Sequence, residues 1–288
     1  MLNYITWNVD PTIFSLGGIE LRWYGLIFAA GLFLAIEIIG RTFRHENAPE
    51  GWVDKVFIYL VIATVLGARL GHVFFYDWDY YSHHIGEILM VWKGGLASHG
   101  ATAALFIGCW LISKYLTKQS IFWLTDRVMI GSAIAATMIR ISNLMNSEIY
   151  GRPTDLPWGF VFVRGEEKFF DAAGNLLPCH PTQLYEALAY LLIFGLLMFL
   201  YWKRDGGKYN GLLTGVGFTA IFLARQIIET VKNPQVGFET EMTFNMGQWL
   251  SVPFVVFGII LIIRALKKGK MEYHFPKVAT SKTKATKK

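Results

Sequence analysis

The sequence predicts an all-α integral membrane protein of seven transmembrane helices, with the N-terminus outside, a small outward-facing cap and the C-terminus in the cytoplasm. Three observations carry this prediction. Of the 288 residues, 53% are hydrophobic and only 17% charged, against about 25% charged in an average soluble domain. Apolar runs close to the ~20 residues that cross a hydrocarbon core recur along the chain, and mean hydropathy is +0.38. Lysine and arginine are also distributed very unevenly between alternate loops.

In order, the apolar runs place spans at 22–40, 53–76, 96–116, 122–142, 182–202, 211–230 and 247–265. The first basic residue is Arg22, so no positively charged segment of the kind that opens a cleavable signal peptide precedes span one, which is expected to stay in the mature chain. Arg41, Arg44, Lys55, Lys114, Lys118, Arg127, Lys203, Arg204 and Lys208 fall near alternate loops, and a further basic cluster runs from Arg264 to Lys288. The opposite side holds only Arg22, Lys93, Arg152, Arg164, Lys168 and Lys232. The positive-inside rule puts the richer loops and the tail in the cytoplasm, and an odd number of spans then leaves the N-terminus outside. Residues 1–268 are expected to form the membrane domain and 269–288 a basic cytoplasmic tail in reach of anionic lipid.

The long outward segment 143–181 contains Pro153, Pro157, Gly159 and Gly165. The alternation Phe160-Val161-Phe162-Val163 and the turn-like Asp171-Ala172-Ala173-Gly174-Asn175 follow. It reads as a cap with a short hairpin.

Composition also excludes classes. Two cysteines, Cys109 and Cys179, are too few for a disulfide framework. His72, His99 and His180 come from separate segments without a His-Glu-x-x-His spacing, so no metal is expected. The charge of +6 follows from topology and a solvated tail, and no nucleic-acid partner is expected.

Charged residues in a membrane span cost several kcal/mol on insertion scales and mark functional sites by default. Here they gather at one depth, toward the outer leaflet: Tyr24 at the start of span one, Arg69 and His72 at the end of span two, and His99 at the start of span three. Arg140 and Asn143 end span four, Tyr185 and Glu186 begin span five, and Arg225 and Glu229 end span six. The cytoplasmic half shows little beyond Glu37. A transporter more often carries polar groups at the midplane, so the distribution favours a reaction site reached from the outer side.

Arg140 and Asn143, three apart, share a helical face, with Asn146 and Glu148 following. Arg140 is a phosphate ligand or a snorkelling interface residue. Arg225 and Glu229 are an i, i+4 pair, structural or holding Arg225 for bidentate phosphate contact. Arg69 and His72 also share a face and either join the site or brace the end of span two. His99, in Gly94-Gly95-Leu96-Ala97-Ser98-His99-Gly100, is a helix–helix hydrogen-bonding residue or a base with a pKa near neutrality. Together the set suits a phospholipid headgroup, with arginines stabilising a departing phosphate.

The segments Arg22-Trp23-Tyr24-Gly25-Leu26, Gly67-Ala68-Arg69-Leu70-Gly71, Ser98-His99-Gly100, Arg140-Ile141-Ser142-Asn143 through Gly151, His180-Pro181-Thr182-Gln183-Leu184-Tyr185-Glu186 and Met246-Gly247-Gln248 occur in this order. This ordered set resembles the prolipoprotein diacylglyceryl transferase family, from about residue 20 to 255. The resemblance implies a bacterial inner-membrane enzyme that works without a cofactor at the periplasmic face. It would transfer diacylglyceryl from phosphatidylglycerol to the lipobox cysteine of a prolipoprotein, forming a thioether and releasing glycerol phosphate, as the first step of lipoprotein maturation. On the same resemblance His99, Arg140 and Arg225 are catalytic, and Arg140, Tyr24, Asn143, Asn146, Glu148 and Gly151 bind substrate; Arg69 and Glu229, at the same depth, are expected to bind substrate too. Ser142, Ile139 and Lys232 depart from the family pattern. The competing class is a phosphate-recognising lipid-binding or transport protein, which would also line the cytoplasmic half with polar residues.

Overall fold

A computed structural model describes residues 4–17, 19–91, 94–95, 97–233, 246–273 and 275. Among them are seven helical stretches long and apolar enough to cross a membrane, the third being Gly100–Thr117 and the sixth Leu212–Val231; their α-helices are α1 (Trp23–His45), α2 (Trp52–Phe75), α4 (Ser98–Leu111), α5 (Ile121–Met145), α6 (Thr182–Lys203), α7 (Leu212–Ile228) and α8 (Met246–Lys268). A short helix α3 (Trp78–His83) follows α2, a π-helical turn over Ile112–Thr117 extends α4, and a 3-10 turn over Glu229–Val231 extends α7. The spans expected from the apolar runs agree with these to within a few residues. Lys93, Leu96 and the tail beyond Phe275 lie outside the described residues.

The chain forms two compact units, one of residues 1–38 and 125–271 and the other of 39–124 and 272–288. In the smaller unit, α2 and α4 cross on small residues. A β-carbon at Gly67 would stand 2.6 Å from the Gly100 carbonyl oxygen, and one at Gly100 would stand 2.2 Å from the Gly67 oxygen. Lipid tails are as apolar as leucine, so membrane helices associate through this kind of close backbone approach rather than by expelling water. Phe43, Trp52 and Trp123 pack together nearby, and the indole nitrogen of Trp123 donates to Glu46 at 2.7 Å.

The larger unit repeats the device where Gly215 of α7 meets Gly258 of α8; a β-carbon on either would approach the other's carbonyl oxygen to 2.7 Å. Ile130, Ala133, Tyr190, Ile193, Leu197 and Leu213 fill the core between α5, α6 and α7. At the α7 N-terminus, the fully buried Asp126 of α5 accepts from the backbone amides of Gly211 and Thr214, both at 2.8 Å, and from the Thr214 hydroxyl at 2.7 Å. These are the orphan donors that every helix start must satisfy. Arg127 beside it donates to the Gly207 carbonyl at 2.9 Å.

The opposite end of this unit carries the cap, which contains a little β-structure. Strand β1 (Ile5–Trp7) pairs in parallel with β4 (Phe160–Phe162), and β2 (Thr12–Leu16) pairs with β3 (Ile19–Arg22) as a hairpin leading into α1. The expected alternation at 160–163 is thus a strand, but its partner is the N-terminal strand. The turn at 171–175 closes a separate small hairpin, with Asp171 accepting from the amides of Ala173 and Asn175. Tyr150 stacks on Phe162 over a core of Leu144, Phe160 and Cys179.

Candidate active site

At the cap end of the larger unit, α5 ends, α6 begins and α7 ends. Their terminal turns form one chain of alternating charge. Arg140 Nε lies 2.9 Å from Glu186 Oε2. Glu186 Oε1 receives Lys232 Nζ at 3.1 Å and the Tyr190 hydroxyl at 3.4 Å. Lys232 Nζ also lies 3.4 Å from Glu229 Oε2, and the same oxygen is 3.8 Å from Arg225 Nε. The order is Arg140, Glu186, Lys232, Glu229, Arg225: three cations and two carboxylates, with one positive charge in excess.

Burial sharpens the arrangement. The side chains of Glu186 and Lys232 are 0% and 3% exposed, whereas Arg140 keeps 15% and Arg225 36% of their surface open. Buried ions are tolerated only when paired, so the interior members hold one another and the two terminal guanidiniums face outward with the surplus charge. A carboxylate clamped to an arginine fixes the fork that recognises a phosphate bidentately. Gly247 opens α8 against Glu229; a β-carbon there would stand 2.7 Å from the Glu229 carboxyl carbon.

A second arm leaves Arg140. Its Nη1 donates to Asn143 Oδ1 at 3.4 Å, and Asn143 Nδ2 donates to Glu148 Oε1 at 2.7 Å. Tyr24 sits where the charges of Glu148 and Arg140 both reach it, and its carbonyl accepts from the Ser142 hydroxyl at 3.4 Å. Ser142 thus links α5 to the start of α1. Glu148 is held by a strained turn. Ser147 and Ile149, on either side of it, adopt φ of 55° and 58°, a left-handed conformation that is rare for a β-branched residue. Gln183 and Thr182 of α6 pin the turn by donating to the Glu148 and Ile149 carbonyls at 2.6 and 2.8 Å. Asn146 is beside this arm, and its Oδ1 is buried with no hydrogen-bond partner among the described residues.

Gly151 occupies a backbone crossing. Its amide donates to the His180 carbonyl at 2.8 Å, and a β-carbon there would stand 2.3 Å from the Val231 carbonyl oxygen. Arg152 fixes the same crossing by donating from Nε to the Lys232 carbonyl at 3.0 Å. The cap therefore sets where Lys232 lies. His180 Nδ1 is 3.2 Å from the Tyr185 hydroxyl, which also accepts from Trp158 at 2.9 Å. Burial lowers the His180 pKa, keeping that ring neutral at pH 7. Burial first, then the charge of Glu167, pushes the Cys179 thiol up to about 11, so it carries almost no thiolate at neutral pH.

Arg69 and His99 belong to the other unit. Arg69 is wholly buried: Nε donates to Ile88 O at 2.8 Å, Nη2 to Glu87 O at 2.7 Å and Nη1 to Gly94 O at 2.7 Å, with the guanidinium over the Tyr81 ring at 4.8 Å. It closes the loop that leads into α4 and has no surface for a ligand. This geometry corresponds to the bracing alternative. His72 stacks on Tyr76. His99 occupies the first turn of α4, and its side chain lies outside the described residues.

The structure therefore brings together Arg140, Asn143, Glu148, Tyr24, Arg225 and Glu229. It adds Lys232, to which sequence reasoning gives no role in the site, and it gives Glu186, expected there only as a residue at the right depth, its two cationic partners. Their signal is present in the sequence: a carboxylate in the first turn of an apolar helix needs a buried cation. Which cation it meets depends on the cap fold.

Residues 11–264 match the family model described as prolipoprotein diacylglyceryl transferase. Proteins named phosphatidylglycerol–prolipoprotein diacylglyceryl transferase are similar along nearly their whole length. The one from Porphyromonas gingivalis is 49% identical over 92% of this chain and 95% of its own. Those from Chloroherpeton thalassium and Tolumonas auensis are 43% and 42% identical, covering 94% and 91% of this chain and 97% and 98% of their own.

Proposed function

The chain belongs to the prolipoprotein diacylglyceryl transferase family, and on that premise we propose that it transfers the diacylglyceryl group of phosphatidylglycerol to the lipobox cysteine of a prolipoprotein. The observation that carries the reading to particular residues is the alternating ion chain that presents Arg140 and Arg225 as its two open ends. One phosphate held there neutralises the surplus charge.

The reaction joins the cysteine sulfur to the terminal glyceryl carbon and breaks that carbon's bond to the phosphate oxygen. The thiolate is the competent nucleophile, and His99 takes its proton. The electron pair of the broken carbon–oxygen bond passes to the leaving glycerol phosphate. Arg140 and Arg225 meet this charge as it develops, and a guanidinium held as Arg140 is, 2.9 Å from Glu186, reorganises little in doing so. Tyr24, Asn143, Asn146, Glu148 and Gly151 shape the headgroup side, and Glu229 orients Arg225. The basic loops and tail support a bacterial inner-membrane location with the C-terminus in the cytoplasm, the N-terminus outside, 143–181 as a periplasmic cap and the site toward the periplasm.

Transfer from phosphatidylglycerol to a lipobox peptide by purified protein, in the presence of a chelator, tests the proposal. Thioether should form with the wild type and be lost in Arg140→Ala, Arg225→Ala and His99→Gln. A folded wild type that binds the lipid and makes no thioether would overturn it in favour of a lipid-binding protein.

A further inference from the structure

Beside the ion chain lies a cavity of about 260 Å³ that the two open arginines do not line. At about 30 Å³ per water, it has room for a small polar group and none for an acyl chain. Its walls come from the strained turn at Ser147–Tyr150, from Glu166 and Glu167 of the cap, and from Lys232 and Asn233 beyond α7. Two wall residues have unmet hydrogen-bonding capacity. The hydroxyls of Ser147, 1% exposed, and Tyr150, 6% exposed, have no hydrogen-bond partner among the described residues. Buried hydroxyls are normally bonded, and each exception asks for a ligand, a water or a strain that explains it.

The wall chemistry narrows the ligand. Glu148 and Glu167 accept from Asn143 and Asn233 at 2.7 and 3.0 Å, which orients their carboxylates, while Ser147 and Tyr150 both donate and accept. A group that itself donates and accepts at adjacent positions matches this lining, and a vicinal diol is the simplest such group. A phosphate would face three carboxylates, and an ammonium, which only donates, would leave the Ser147 and Tyr150 hydroxyl protons without an acceptor. The cavity is also joined to the phosphate side: Glu148 connects through Asn143 to Arg140, and Lys232 connects through Glu186 to Arg140.

We propose that this cavity receives the terminal glycerol of the phosphatidylglycerol headgroup, making Glu166, Glu167 and Asn233 specificity determinants of the reaction. The inference rests on the transferase reading above and deepens it. With the phosphate at the arginines, the two free hydroxyls of the headgroup enter the cavity. The diol then leaves with the phosphate as glycerol phosphate.

The test uses the full-length enzyme in mixed micelles, comparing wild type with the Glu166→Gln/Glu167→Gln double variant and with Asn233→Leu. Glu166 and Glu167 are exposed and Asn233 half-buried, and none of the three lies in a membrane-spanning helix. The KM for phosphatidylglycerol should rise about tenfold and kcat fall less than threefold, the pattern of binding shared by ground and transition states. Inhibition by free glycerol phosphate should weaken by the same factor, while inhibition by inorganic phosphate, which reaches only the arginines, stays unchanged. If glycerol phosphate alone weakens and the lipid KM holds, the cavity serves the released product and the substrate proposal fails. Unchanged values for both, or wild-type turnover of phosphatidylethanolamine equal to that of phosphatidylglycerol, also overturns it. Absence of thioether from any lipid would instead strike the transferase reading itself.

Discussion

Arg69 and Arg140 both lie near the end of an apolar helix with little or no solvent around them, yet they are held in opposite ways. Arg69 is surrounded by carbonyl oxygens from Glu87, Ile88 and Gly94 and is 0% exposed. Arg140 is held from one side by Glu186 and Asn143 and stays 15% exposed. Carbonyl dipoles saturate a guanidinium's donors without cancelling its charge, which makes a permanent anchor for a loop. A carboxylate offsets the charge and leaves donors over, which makes an oriented receptor for an anion. Residue type is the same in both cases, and the partner decides the role.

The largest effect is expected at Arg140. Arg140→Lys keeps a cation beside Glu186 but loses the fork, and thioether formation should fall by about 10²–10³-fold with the thermal midpoint nearly unchanged. Arg69→Lys should do the reverse. One ammonium cannot reach three carbonyls in the same geometry, and charged hydrogen bonds are worth about 1.5–3 kcal/mol each, so thermal unfolding in detergent should move well down while surviving enzyme keeps kcat within severalfold. A stable but inactive Arg69→Lys would break the comparison and return Arg69 to the site. The smallest effect sharpens it from within the chain of charges: Lys232→Met leaves Glu186 and Glu229 to draw on the arginines alone, and activity should drop about tenfold. Lys232→Arg should restore most of it. Steady-state kinetics on the purified pair distinguishes these outcomes.

The seven spans were legible in the sequence because hydropathy acts locally and lipid imposes a length. Arg140 and Asn143 were legible as neighbours because helical spacing brings them together, and Glu148 as a residue close behind them in sequence; the turn that folds it back onto Asn143 was not. Tyr24 was legible as a residue at the same depth and, through the family resemblance, as one that binds substrate. The alternatives left open at Arg69 could not be decided from spacing, since its partners are backbone carbonyls that any residue supplies. Glu186 and Lys232 meet only because the bridge between Gly151 and Lys232 brings the end of α7 against the start of α6. The N-terminal strand that pairs with Phe160–Phe162 left no periodic signal, being three residues long.

The carboxylate of Asp126 bears on how the chain comes into being. The amides that begin α7 are closed by a side chain of α5, 85 residues earlier for Gly211, so α7 has no complete beginning of its own. A newly made α7 relies on water for these donors until it docks on a helix synthesised before it. At this junction docking completes the helix start, and the order of synthesis already has the acceptor waiting.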